Sequence, residues 1–143
     1  MLYSLPFSFL QLTSLSPTEV RAISPTALAY IGDAVYELFI RRYYLLPPSR
    51  LRDYHQKVVA CVRAEAQAEI AQELYPLLSG AEQAILKQGR NAAVGGPRRT
   101  NPVTYQYATG FETLIGYLYL TDPPRLEELL AQIKLDPSTS NSA

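Results

Sequence analysis

Two carboxylates stand inside apolar helical segments of this chain. Asp33 lies in Ala27-Leu28-Ala29-Tyr30-Ile31-Gly32-Asp33-Ala34-Val35-Tyr36-Glu37. Glu112 lies in Gly110-Phe111-Glu112-Thr113-Leu114-Ile115-Gly116-Tyr117-Leu118-Tyr119-Leu120. An acid in apolar surroundings costs free energy unless a cation or hydrogen-bond donors meet it. Two such segments in one small domain therefore predict one site, with a metal ion between two helices. Mg²⁺ suits such a pair: it takes oxygen ligands, keeps several waters, and is held by one or two carboxylates plus a substrate phosphate. The chemistry implied is phosphoryl transfer to water, in which the ion activates a bound water and stabilises charge on the phosphate.

Plainer roles for the same residues stand beside this one. Asp33 could be a structural aspartate satisfied by a Tyr hydroxyl or by Arg41, and Glu112 a buried, paired residue. Glu37 shares a helical face with Asp33 and reads as a solvated helix residue. His55 reads as a helix residue near a turn, because metal-bound water needs no histidine to activate it. Cys61 is the only cysteine. It reads as a small buried hydrophobe, and it excludes an intramolecular disulfide and points to a reducing compartment. One cysteine and one histidine make a zinc site improbable.

The elements that must position these groups are helices. At 143 residues and 48% apolar composition, the chain reads as one all-α globular domain. Ser24-Pro25 signals a helix start, with Leu28, Ile31, Val35 and Leu38 at helical spacing and Pro47-Pro48 ending the run. Ser49 opens a second stretch, with a break near Cys61 to Arg63. Ser79-Gly80-Ala81-Glu82 has the spacing of a capping box, which predicts a short helix to about Gln88 with Gly89 as its stop. Residues 90 to 103 read as a loop, Thr104 to Leu120 as a long helix, and Arg125 to Ile133 as a last one capped by Asp122-Pro123-Pro124. Residues 1–23 form an N-terminal arm expected to pack on the domain or on a partner subunit, 24–133 the catalytic domain, and 134–143 a flexible tail. The arm has no Lys or Arg before Arg21. It does not read as a secretory signal or a membrane span, so the cytoplasm is expected.

Net charge is zero, which does not announce a nucleic-acid binder. Local charge does: between Glu82 and Glu112 there is no acid, while Lys87, Arg90, Arg98 and Arg99 fall there. Such a basic stretch can meet phosphates, and Asn91 could bond a phosphate or a ribose hydroxyl.

These residues carry a resemblance. Leu28 to Glu37 resembles the signature helix of ribonuclease III, and Phe111 to Gly116 with Leu118-Tyr119-Leu120 resembles its second metal-binding helix. Lys87-Gln88-Gly89-Arg90-Asn91-Ala92, Thr104-Tyr105-Gln106-Tyr107-Ala108-Thr109 and Ala64-Glu65-Ala66-Gln67-Ala68 are similar to further elements of the Mini-ribonuclease III family, in the expected order. The resemblance implies a ribonuclease III endonuclease-domain-like helical bundle. It implies a homodimer that cleaves double-stranded RNA with Mg²⁺ (Mn²⁺ a possible substitute), and precursor large-subunit ribosomal RNA as substrate. Asp33 and Glu112 are then catalytic metal ligands. Lys87, Arg90, Asn91, Arg98 and Arg99 are the candidates for RNA contact. Full-length ribonuclease III has further acids where this chain holds Ala29 and Thr109. The short family shares both losses, which implies fewer protein ligands and a shell completed by waters or by RNA phosphate. Two rivals remain: a non-catalytic relative that binds structured RNA or the ribosome, and an all-α module that binds a protein partner.

Overall fold

Prolines and small polar residues set where the helices of this chain begin. The computed structural model describes residues 14–93 and 101–135. Among these the chain runs through α1 (Pro17–Arg21), α2 (Pro25–Tyr43), α3 (Leu51–Val62), α4 (Ala64–Leu74), a short 3-10 turn (Tyr75–Leu77), α5 (Gly80–Ala92), α6 (Pro102–Thr121) and α7 (Pro123–Leu130). No described residue is in a strand, and the fold is all-α. Ser24, Ser79, Asn101 and Asp122 each accept a hydrogen bond from a backbone N–H in the turn that follows, satisfying donors a helix end would leave free.

Helix α6 is the centre of the bundle, and α2, α4 and α5 all pack on it. Its Phe111, Leu114, Ile115 and Leu118 are buried together with Tyr36 and Ile40 of α2, Ala71 and Leu74 of α4, Leu86 of α5 and Leu129 of α7. Tyr36 meets Phe111 edge-on at 4.9 Å between ring centres, and its hydroxyl donates to the Cys61 carbonyl at 3.0 Å. Arg125 of α7 ties this end of the bundle to α5 through Glu82, at 2.9 and 3.0 Å.

Two pairs of glycines let helices approach α6 at backbone distance. A β-carbon on Gly32 would lie 1.8 Å from the Glu112 carbonyl oxygen, and one on Gly116 would lie 2.0 Å from the Leu28 carbonyl oxygen. On the α5 side, a β-carbon on Gly89 would meet the Thr113 hydroxyl at 2.3 Å, and one on Gly110 the Leu86 carbonyl at 2.7 Å. This corrects the reading of Gly89 as a helix stop. The helix continues to Ala92, and Gly89 is there because the α5–α6 contact leaves no room for a side chain.

Smaller differences have local causes. The α3 helix begins at Leu51 after Arg50, with no side-chain cap, rather than at Ser49. The expected break near Cys61 to Arg63 falls at Arg63, whose extended backbone (φ −68°, ψ 157°) separates α3 from α4. Asn101 caps α6, which begins at Pro102, two residues earlier than Thr104. The last helix spans Pro123–Leu130 rather than Arg125 to Ile133. Within the N-terminal arm, the described part packs on the domain: Leu15 donates its N–H to the Leu120 carbonyl at 2.8 Å, and Val20 is buried. Residues 1–13 of the arm and 136–143 of the tail lie outside the described residues. Among the described residues no helix is long and apolar enough to cross a membrane.

Candidate functional site

The approach of α2 to α6 at Gly32 brings the residue after that glycine beside Glu112. The two carboxylates face one another closely enough to hydrogen-bond. Glu112 is half-buried, and its carboxyl is pushed up to about 8, first by burial and then by the hydrogen bond and charge of Asp33. The Gln67 side-chain amide of α4 faces Glu112 as a donor and pulls the other way. Like charges at such a contact cannot both ionise freely, so the pair is a place where a cation would relieve repulsion.

The sequence expectation of mostly apolar surroundings for Asp33 needs correction. Asp33 is exposed, and its neighbour Tyr30 is 85% exposed. Gly32 takes the inward position on α2, which leaves Asp33 on the rim of the helix contact; Glu112 is the desolvated member of the pair. Arg41 does not satisfy Asp33, because it pairs with Glu37 one turn away. Among the described residues Asp33 has no ion pair. Asp33, Ala34, Glu37, Leu38 and Arg41 line a shallow, open depression on α2.

The donor set fits a hard divalent cation. It consists of two carboxylates, and such an ion is held by one or two carboxylates while keeping several waters; among the described residues no group of three or more Asp, Glu, His or Cys side chains converges. Ala29 is buried, and Thr109 is buried with its carbonyl accepting from the Thr113 hydroxyl at 2.7 Å. Gln67 also reaches this pair through its amide, while its Oε1 is buried with no hydrogen-bond partner among the described residues. Sequence reasoning placed Gln67 in the alanine-rich element but not among the site residues, although its phase with Ile70, Ala71 and Leu74 signals a polar residue on the buried face of α4.

The basic candidates divide. Lys87 and Asn91 are exposed on α5, and Arg90 to Ala92 belong to that helix rather than to a loop. Arg90 is half-buried, with its guanidinium 4.0 Å from the Tyr107 ring centre. Gly110 makes room for its stem, since a β-carbon there would lie 2.8 Å from Arg90 Cγ. Arg98 and Arg99 lie outside the described residues.

Comparison with known proteins adds to this geometry. A family model described as the ribonuclease III domain matches residues 26–123. The chain is 54% identical over 126 residues to a Mini-ribonuclease 3 of Synechocystis, covering 86% of this chain and 88% of that protein. It is 52% identical to a Mini-ribonuclease 3 of Thermosynechococcus vestitus, covering 85% and 82% of the two chains. A crystal structure of a Fusobacterium nucleatum protein superposes with a TM-score of 0.73 at 30% identity, covering 79% of this chain and 93% of that one.

Proposed function

The chain belongs to the ribonuclease III family of endoribonucleases acting on double-stranded RNA, and from that premise we propose that Asp33 and Glu112 hold the divalent cation used to cut it. The observation that carries this reading is the pairing of the two carboxylates across the Gly32–Glu112 contact. Mg²⁺ is the ion proposed, with Mn²⁺ able to replace it. When bound, such an ion acidifies a water ligand and offsets negative charge on the phosphate and on the leaving oxygen.

Each carboxylate has a separate task. Asp33, exposed on the rim, is the group an incoming phosphodiester meets first. Glu112, set back between helices, would release its proton to solvent on binding a cation and would then present an anionic oxygen to it. The α2–α6 contact fixes their separation, because neither helix can shift without opening a backbone-to-backbone contact. Lys87 and Asn91 on α5, with Arg98 and Arg99 later in the sequence, are the phosphate contacts proposed to align the duplex, and Arg90, stacked on Tyr107, lies between Lys87 and Asn91 in the sequence of α5. A-form RNA offers phosphates and ribose hydroxyls across a wide, shallow minor groove, so shape rather than sequence guides this alignment.

The active form proposed is a homodimer, whose two sites cut the two strands. Tyr30 and Leu38 of α2 are 85% and 56% exposed, an apolar face beside Asp33 that a second copy would cover. The proposed substrate is precursor large-subunit ribosomal RNA, trimmed in the cytoplasm near paired ends. Incubating the protein with such a precursor, with Mg²⁺ or with chelator, tests the reading. Mg²⁺-dependent cuts in both strands of a paired end are expected. Binding without cleavage under Mg²⁺ and Mn²⁺ would favour a non-catalytic RNA-binding relative.

A further inference from the structure

Gln67 is a buried polar side chain at the site that the reading above does not use. It is 2% exposed and projects from α4, which packs on α6. Its Nε2 donates to the Val62 carbonyl at 2.9 Å, the last residue of α3. The same amide faces the Glu112 carboxylate, and its Oε1 is buried with no partner among the described residues. A glutamine amide offers two N–H donors and one carbonyl acceptor. Here one donor is anchored on α3, another is free for Glu112, and the acceptor is left over.

As core filling this is a poor choice. Ile70, Ala71 and Leu74 continue the buried face of α4, and a leucine or methionine would continue it without stranding a carbonyl oxygen. The residue type calls for a reason at the carboxylates. We propose that Gln67 is a positioning residue: anchored on Val62, its amide holds Glu112 turned toward Asp33, the arrangement in which the two carboxylates would share a divalent cation. The inference rests on the reading of Asp33 and Glu112 as a cation site. A ligating carboxylate is itself held by hydrogen bonds, and loss of such a partner typically weakens metal affinity by about 10–100-fold.

The test is Mn²⁺ binding to the full chain without RNA, read by electron paramagnetic resonance of the free ion. Native protein, Gln67→Leu, Gln67→Met and Asp33→Asn are compared, each checked for folding by circular dichroism. Methionine keeps the length and flexibility of glutamine, so it guards against misfolding of the leucine variant. The expected result is Mn²⁺ affinity lowered by about 10–100-fold in both apolar variants, with the Mg²⁺ concentration for half-maximal RNA cleavage raised in parallel. A side chain that only fills space would move neither. Native affinity in folded Gln67→Leu and Gln67→Met, with binding lost in Asp33→Asn, overturns this inference and leaves the cation site standing. No Mn²⁺ binding by the native chain overturns the cation site and the role of Gln67 together.

Discussion

Gly32 lies against the backbone of Glu112 so closely that a β-carbon on it would stand 1.8 Å from the Glu112 carbonyl oxygen. The neighbour is backbone, which cannot rotate aside as a side chain would. Gly32→Ala is therefore expected to cost at least the upper part of the usual overpacking range of about 1–3 kcal/mol. Activity should fall further than stability, because the carboxylates separate with the helices. Gly116→Ala, with the Leu28 carbonyl at 2.0 Å, should behave alike. Gly80→Ala meets nothing within 4 Å among the described residues and should be neutral or stabilising by up to about 1 kcal/mol. Urea unfolding of the three variants checks the contrast.

The carboxylate pair makes the metal-free protein sensitive to alkali. The Glu112 carboxyl is raised from its ordinary 4.5 to about 8, so the folded chain keeps a proton that the unfolded chain releases. That contribution to stability is fully present below about 4.5 and is lost as pH rises through about 8. The proton belongs to the Asp33–Glu112 pair as a unit. In chelator, the melting temperature should fall across this window. Mg²⁺ should restore it at the alkaline end, and Glu112→Gln should flatten the profile. A flat profile in the native protein would mean that burial and Asp33 do not raise the Glu112 carboxyl.

A second buried acid has the opposite sign and a structural task. Glu82 is 7% exposed, caps its own helix through the Ser79 N–H at 2.8 Å, and is gripped by Arg125, which also donates to the Leu77 carbonyl at 2.9 Å. The Arg125 hydrogen bond holds the Glu82 carboxyl below its ordinary value, so its contribution is present at neutral pH and lost as pH falls. Arg125→Met strands this acid and should cost about 3 kcal/mol. Cleavage per folded molecule should be unchanged, since the pair is remote from Asp33 in role. Thermal unfolding beside initial rates separates the two effects.

The basic stretch is tested by salt. If Lys87, Arg98 and Arg99 meet phosphates, affinity for duplex RNA falls steeply with salt, and each contact removed lowers the log–log slope by about 1. Arg98→Glu with Arg99→Glu should weaken RNA binding far more than it weakens folding. Unchanged affinity and slope in that double variant would remove these arginines from the interface.

Much of this was legible because it is local. Ser24-Pro25 and the Ser79–Glu82 capping box are signals that a helix start carries within four residues, and both helices begin there. The acids were legible because a carboxylate in an apolar run is chemically conspicuous. What escaped depends on the third dimension. Gly89 looks the same to sequence whether it ends a helix or admits another one, and only the contact with Thr113 decides. Asp33 and Glu112 have similar surroundings in sequence, yet the first is on a rim and the second between helices. Gln67 sits in phase with buried residues, but its use appears only once the Glu112 carboxylate stands before it.

The most direct test of the account is cleavage of a long RNA duplex in Mg²⁺ by the native protein and by Asp33→Asn. Exchanging the exposed aspartate for its isosteric amide removes an anionic oxygen and relieves repulsion with Glu112, so the variant should fold at least as stably as the native chain. The account predicts Mg²⁺-dependent cutting by the native protein and its loss, by orders of magnitude, in the folded variant. A folded Asp33→Asn protein that cuts at the native rate would contradict it.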